Sequence, residues 1–154
     1  MMKTNPFKDL KKKILLKDKM DSFIIFKIKD MQYALKTDYV KYILPYLEVK
    51  NVENMPEYIK GTIIYEDIPI TLIDMSILLN QQSQEYTDKT FNIVFSIEDK
   101  MYSIFTNNII DVITIDKNIL KDAGEEFKEY FFVDKIFSYN METFMVINPE
   151  KLIS

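Results

Sequence analysis

The sequence predicts a mainly β protein in which two related lobes share one hydrophobic core, and three observations carry that prediction. Short apolar runs alternate with polar residues at period two and end in polar turns, the pattern of half-buried strands. The run FIIFKIKDMQYALKTDYVKYIL (23 to 44) aligns without a gap on NIVFSIEDKMYSIFTNNIIDVI (92 to 113), an offset of 69. Ile73-Asp74-x-x-x-Leu78-Leu79 recurs as Ile147-Asn148-x-x-x-Leu152-Ile153 at an offset of 74, and Glu57-Tyr58 recurs as Glu129-Tyr130. Each lobe then holds about five short strands and a small helix, too little to be secure alone. The halves should therefore bury a common core and leave a groove between them for binding.

In chain order, residues 1 to 20 read as a basic helix or arm. They carry seven Lys against Asp9 and Asp18, a net of +5; the remainder has 13 Lys and 22 acidic residues, a net of -9. Asn5 as N-cap and Pro6 in the first turn start a helix with Phe7, Leu10 and Ile14 on one face. A basic amphipathic segment suits an anionic surface or the chain's own acidic body, and the second is the expected arrangement.

Lobe one covers 21–80. Ile24, Phe26 and Ile28 alternate along a first strand, Lys29-Asp30-Met31 turns, and Tyr33 and Leu35 return. Thr37 is placed to cap a short helix presenting Val40, Ile43 and Leu44, which Pro45 stops. Pro56 to Gly61 leads into a strand over 62 to 65, Glu66-Asp67 turns, and Ile68, Ile70 and Leu72 alternate with Pro69 and Thr71. A proline there predicts an edge strand. Asp74 should cap a short helix burying Ile77 and Leu78. Gln81 to Lys89 is a polar linker, and lobe two, 90–154, repeats the pattern. Six aligned pairs are identical: Ile24/Ile93, Phe26/Phe95, Ile28/Ile97, Asp30/Asp99, Tyr33/Tyr102 and Thr37/Thr106. In an isoleucine-rich chain the Phe, Asp, Tyr and Thr pairs are the informative ones.

Composition narrows the chemistry. The chain of 154 residues is 47% apolar, with 11 Phe and 10 Tyr, which is ample for one core. There is no His, Cys, Trp or Arg. Nucleophile–histidine sites and zinc sites with nitrogen or sulfur ligands are thereby excluded. Glycines only at 61 and 124 exclude a glycine-rich phosphate loop. The adjacent carboxylates Glu66-Asp67 and Glu125-Glu126 fall in turns and read as solvated. No cofactor is expected. An acidic body removes the electrostatic term on which nucleic-acid affinity rests, so a small two-barrel nucleic-acid-binding module, or another interaction module, is the alternative rather than the leading reading. No apolar run approaches the ~20 residues of a membrane span, and the expected location is cytoplasmic.

P-E-Y-I-K-G at 56 to 61, I-I at 63 to 64 and L-I-D at 72 to 74 resemble the signature of CheW-like chemotaxis adaptor domains. F-I-I-F-K-I at 23 to 28, Tyr33 and V-K-Y-I at 40 to 43 fall at that family's spacings. The resemblance spans about residues 22 to 153. It implies two intertwined five-stranded SH3-like β-barrels around one core, with a few short helices. It also implies a non-enzymatic scaffold, at membrane-associated receptor arrays, that couples chemoreceptors to the histidine kinase CheA. The receptor's hairpin tip would dock by the inter-barrel groove, and the CheA regulatory domain or other CheW-like domains would pair barrel to barrel. Mapped by position, the partner-contact candidates are Val40, Ile43, Gly61, Glu66 and Ile109. The sequence departs from the family at several points. Glu66-Asp67 stands where Arg-Gly is common, Thr71 takes the usual proline position with Pro69 two residues earlier, and Ser103 and Asn107 replace a Gly and an Asp.

Overall fold

The computed structural model describes residues 7–10 and 18–154. Residues 7–10 are helical, with Phe7 and Leu10 exposed; the Asn5-Pro6 start and Ile14 lie outside the described residues. From there the order is β1 (Met20–Ile28), β2 (Met31–Lys36), β3 (Val40–Leu44), β4 (Ile59–Tyr65), β5 (Ile68–Ile73) and helix α1 (Met75–Leu78). The second half gives β6 (Phe91–Ile97), β7 (Lys100–Thr106), β8 (Asn108–Asp116), the two-residue β9 (Lys121–Asp122), β10 (Val133–Tyr139), β11 (Glu142–Ile147) and helix α2 (Pro149–Ile153).

The strands form two sheets, and the halves are interleaved between them. Sheet one has the order β8-β1-β2-β11-β10-β9 and sheet two β3-β6-β7-β5-β4. β3, from the first repeat, pairs with β6 of the second, while its counterpart β8 pairs with β1. Each repeat thus gives its third strand to the other's sheet. Sheet two curls until its end strands meet through side chains: Tyr42 on β3 and Tyr65 on β4 lie 5.1 Å apart, ring to ring. A bridge between Lys50 and Thr62 draws the chain after β3 across β4.

This arrangement follows from strands that are apolar on both faces. On β1, Ile24, Phe26 and Ile28 enter the core shared by the two sheets, while Phe23 and Ile25 enter the core inside sheet one. On β6, Ile93 and Phe95 enter the shared core and Val94 the core inside sheet two. Phe26 faces Tyr33 across the β1–β2 hairpin, and Phe95 faces Tyr102 across β6–β7. Both pairs stack, with centroids 5.8 and 5.7 Å apart. The identical residues of the repeat are therefore the pseudo-symmetric halves of one core. Burial at Tyr33 also raises the pKa of its phenol, with a smaller contribution from Tyr130.

Four local expectations are corrected. Residues 40–44 are a strand, not a helix: a five-residue run is ambiguous between the two periods, and the free edge of β6 decides it. The proline-bearing β5 lies inside sheet two, between β7 and β4. Pro69 is tolerated because pairing with β7 begins only at Thr71, so its missing N–H faces no partner strand. Asp74 does cap α1, accepting from the amides of Ser76 and Ile77, but the residues α1 buries are Met75 and Ser76. Finally, the partner of Tyr58 in the second repeat is Phe132 rather than Tyr130. The amide of Asp74 donates to Tyr58 O, and that of Asn148 to Phe132 O, at 2.8 and 2.7 Å.

Phe26→Ala and Phe95→Ala should each cost about 3–5 kcal/mol, the scale of a large-to-small change in a packed core. Because the two sites are equivalent, urea unfolding should give similar losses for both.

Candidate partner-binding surface

The candidate residues lie on three strands. β3 and β8 end their respective sheets, and each carries a bulge at the equivalent position. Val40 pairs with Phe95 and Tyr42 with Val94, leaving Lys41 unpaired; Ile109 pairs with Phe26 and Asp111 with Ile25, leaving Ile110 unpaired. A bulge changes which face each following side chain takes. Val40 and Ile109 consequently pack half-buried against the shared core. Ile43 and its repeat partner Val112 are turned outward, 46% and 56% exposed, and Ile110 on β8 is exposed as well.

Gly61 is buried in β4, next to a register shift between Ile59 and Gly61. Its φ is +151°, and a Cβ there would stand 2.5 Å from Lys50 O and from Val49 Cγ1. The glycine is required by the crossing of residues 49–50 over β4. Glu66 is exposed at the tip of the β4–β5 hairpin, where Glu66 and Asp67 take φ of 48° and 65°, as a two-residue hairpin turn demands. The structure thus brings Val40, Ile43 and Ile109 to the two exchanged strands, and leaves Gly61 on β4, the other end strand of sheet two, and Glu66 in the turn that follows it.

Sequence reasoning missed Ile110 and the outward direction of Val112. Alternation along 109 to 115 would have exposed them only if the bulge were known, and the bulge exists in the pairing with β1. The charged residues of β3 and β8 themselves, Lys41, Asp111 and Asp116, are exposed. Asp134 is held below the usual carboxylate range, first by the hydrogen bond from Lys151 and then by that from Asn148. Among the described residues no group of three or more His, Cys, Asp or Glu side chains is placed to hold a metal ion. No described helix is long and apolar enough to cross a membrane.

The structure is two interleaved β-sheets with outward apolar side chains on the exchanged strands. Residues 22–154 match the CheW-like domain, and the chain belongs to the CheW-like family. It is 25% identical over 103 residues to the chemotaxis protein CheW of Klebsiella aerogenes, a match covering 67% of this chain and 62% of that protein. The chain therefore spans somewhat less than two thirds of that relative. It is 27% identical over 105 residues to the chemotaxis protein CheW of Bacillus subtilis, covering 68% and 67%. Its fold is similar to that of the scaffolding protein TtCheW from Thermoanaerobacter tengcongensis, with a TM-score of 0.75 at 18% identity over 82% of this chain and 83% of that one.

Gly61→Ala should lower the unfolding free energy by about 1–3 kcal/mol, the cost of a residue held at a disfavoured φ. Chemical denaturation measures it, and hydrogen exchange at the amides of Lys50 and Thr62 should rise with it.

Proposed function

We propose that this chain is a non-enzymatic chemotaxis adaptor that couples methyl-accepting chemoreceptors to the histidine kinase CheA, working in the cytoplasm at membrane-associated receptor arrays. The match of residues 22–154 to the CheW-like domain carries this reading. In it the receptor's hairpin tip docks against β3 and β8, with Val40, Ile43 and Ile109 as its apolar contacts, and with Gly61 on β4 and Glu66 in the β4–β5 turn flanking them. The CheA regulatory domain, and other CheW-like domains, pair with the ends of the sheets. The outward Ile43 supports this assignment, since an exposed aliphatic side chain on an end strand gains by being covered. Val40 and Ile109 support it from below by fixing the strands to the core.

Glu66 gives the reading its specificity. A carboxylate at an exposed turn repels a partner acid and favours a neutral or basic site. The chain would then serve receptors whose matching position is not acidic.

The purified protein should change the autophosphorylation rate of its cognate CheA when receptors are present and show no turnover of its own. No change in that rate would end the adaptor reading. Ile43→Asp should leave the fold intact and weaken receptor binding roughly tenfold, the ~1.4 kcal/mol scale of an interface side chain. Glu66→Arg, assayed by pull-down, should weaken binding to the organism's own receptors and strengthen it to receptors of the usual adaptor type. Unchanged binding to both would leave Glu66 an ordinary turn residue.

A further inference from the structure

The pseudo-symmetry that builds the core also builds two equivalent grooves, and residues 82–85 wall only the first. The first, about 480 Å³, is lined by Lys27, Lys29, Ser83, Gln84 and Asn108 among others. The second, about 440 Å³, is lined by Tyr39, Ser96, Ile97, Glu98, Glu150 and Ile153, with Ser154 at its end. The offset of 69 carries Lys27 onto Ser96, Lys29 onto Glu98 and Tyr39 onto Asn108, so the walls correspond. The offset of 74 carries Ser76 and Leu79, at α1, onto Glu150 and Ile153, at α2. Neither Ser76 nor Leu79 lines the first groove, because residues 82–85 lie there instead.

That covering segment shows how an extended chain is held in such a groove. The buried carboxylate of Asp74 accepts from Ser83 Oγ and from the Gln84 amide, at 2.8 and 3.0 Å. Gln84 Nε2 donates to Phe105 O at 3.0 Å. Lys29 Nζ donates to Gln82 O at 2.5 Å and Lys60 Nζ to Gln84 O at 3.4 Å. Two lysines thus hold the backbone carbonyls of a segment that brings its own carboxylate, Glu85, to a groove that Asp30 also lines.

In the second groove the charged side chains of the lining are both acidic. Glu98 stands for Lys29, and exposed Glu150 stands on the helix face that the covering segment would occupy. Asn148 replaces Asp74 and turns its amide to Asp134 at 2.8 Å, while Lys151 is engaged by the same carboxylate. Among the described residues neither Glu98 nor Glu150 forms an ion pair.

We propose that the second groove docks an extended segment of a partner protein bearing Lys or Arg side chains, lying over α2 as residues 82–85 lie over α1. Glu98 and Glu150 receive its cations, and Tyr39, Ile97 and Ile153 cover its apolar stem. The groove adjoins β3 through Tyr39 but uses none of the five contact residues assigned above, and the inference does not depend on the adaptor reading.

The test uses the full chain and a capped hexapeptide copied from residues 81–86 with Lys in place of Glu85. Backbone amide shifts followed by NMR should saturate and stay confined to Tyr39, Ser96 to Glu98 and Glu150 to Ser154. The Glu98→Lys/Glu150→Lys variant should bind at least fivefold more weakly; Lys29 at the equivalent turn shows that lysine fits there. Equal binding of the unaltered hexapeptide would overturn the charge argument, and scattered or absent shifts would overturn the site. A full chain with Lys11, Lys12 and Lys13 replaced by Gln supplies the remaining control. If the same amides move in it without peptide, the groove belongs to the chain's own lysine-rich segment and not to a partner.

Discussion

Burial of β1 and β6 on both faces is the constraint on which the rest of the structure depends. A strand with apolar residues on alternate positions needs one cover; a strand apolar throughout needs two. Phe26 and Phe95 take the shared side, each stacked on the tyrosine across its hairpin, and Phe23, Ile25 and Val94 take the other. Neither half can supply two covers from its own strands. Joining the halves around Ile24, Phe26, Ile93 and Phe95 gives each of these strands a face in the common core and a face in its own sheet.

The exchange of third strands follows from the same need. β3 and β8 complete the sheet of the opposite repeat, so the two halves cannot separate without breaking backbone pairing as well as the core. The exchange also places β3 and β8 at the ends of their sheets, and the bulges at Lys41 and Ile110 turn one side chain in and another out along the same strand. Outward-facing apolar residues and core residues are thereby neighbours on the same strand.

One difference between the repeats lies at the N-caps of their helices. Asp74 and Asn148 cap α1 and α2 with nearly identical backbone angles, φ of -93° in both and ψ of 104° and 105°. Their remaining side-chain atoms do different things. The second oxygen of Asp74 fastens residues 83 and 84, whereas the amide of Asn148 bonds Asp134. The segment between the repeats is accordingly packed: Tyr86 bonds both the amide and the carbonyl of Leu47, and its ring lies 5.2 Å from that of Phe105.

The sequence by itself determined the repeat, the β character of both halves, the hairpin turns and the two capped helices. These are local matters: period-two alternation, turn residues and cap side chains act within a few positions of one another, and the identical Phe and Tyr pairs mark the core because both halves must fill the same space. Tertiary structure alone decided that residues 40–44 extend rather than coil, because a short apolar run takes whichever partner offers hydrogen bonds, and β6 offered its edge. It decided that Pro69 sits in an interior strand, since only the reach of β7 leaves that position without a neighbour. It also decided which of Val40, Ile43, Ile109, Ile110 and Val112 face outward, because a bulge is a property of two strands paired, and no single strand encodes its partner's register.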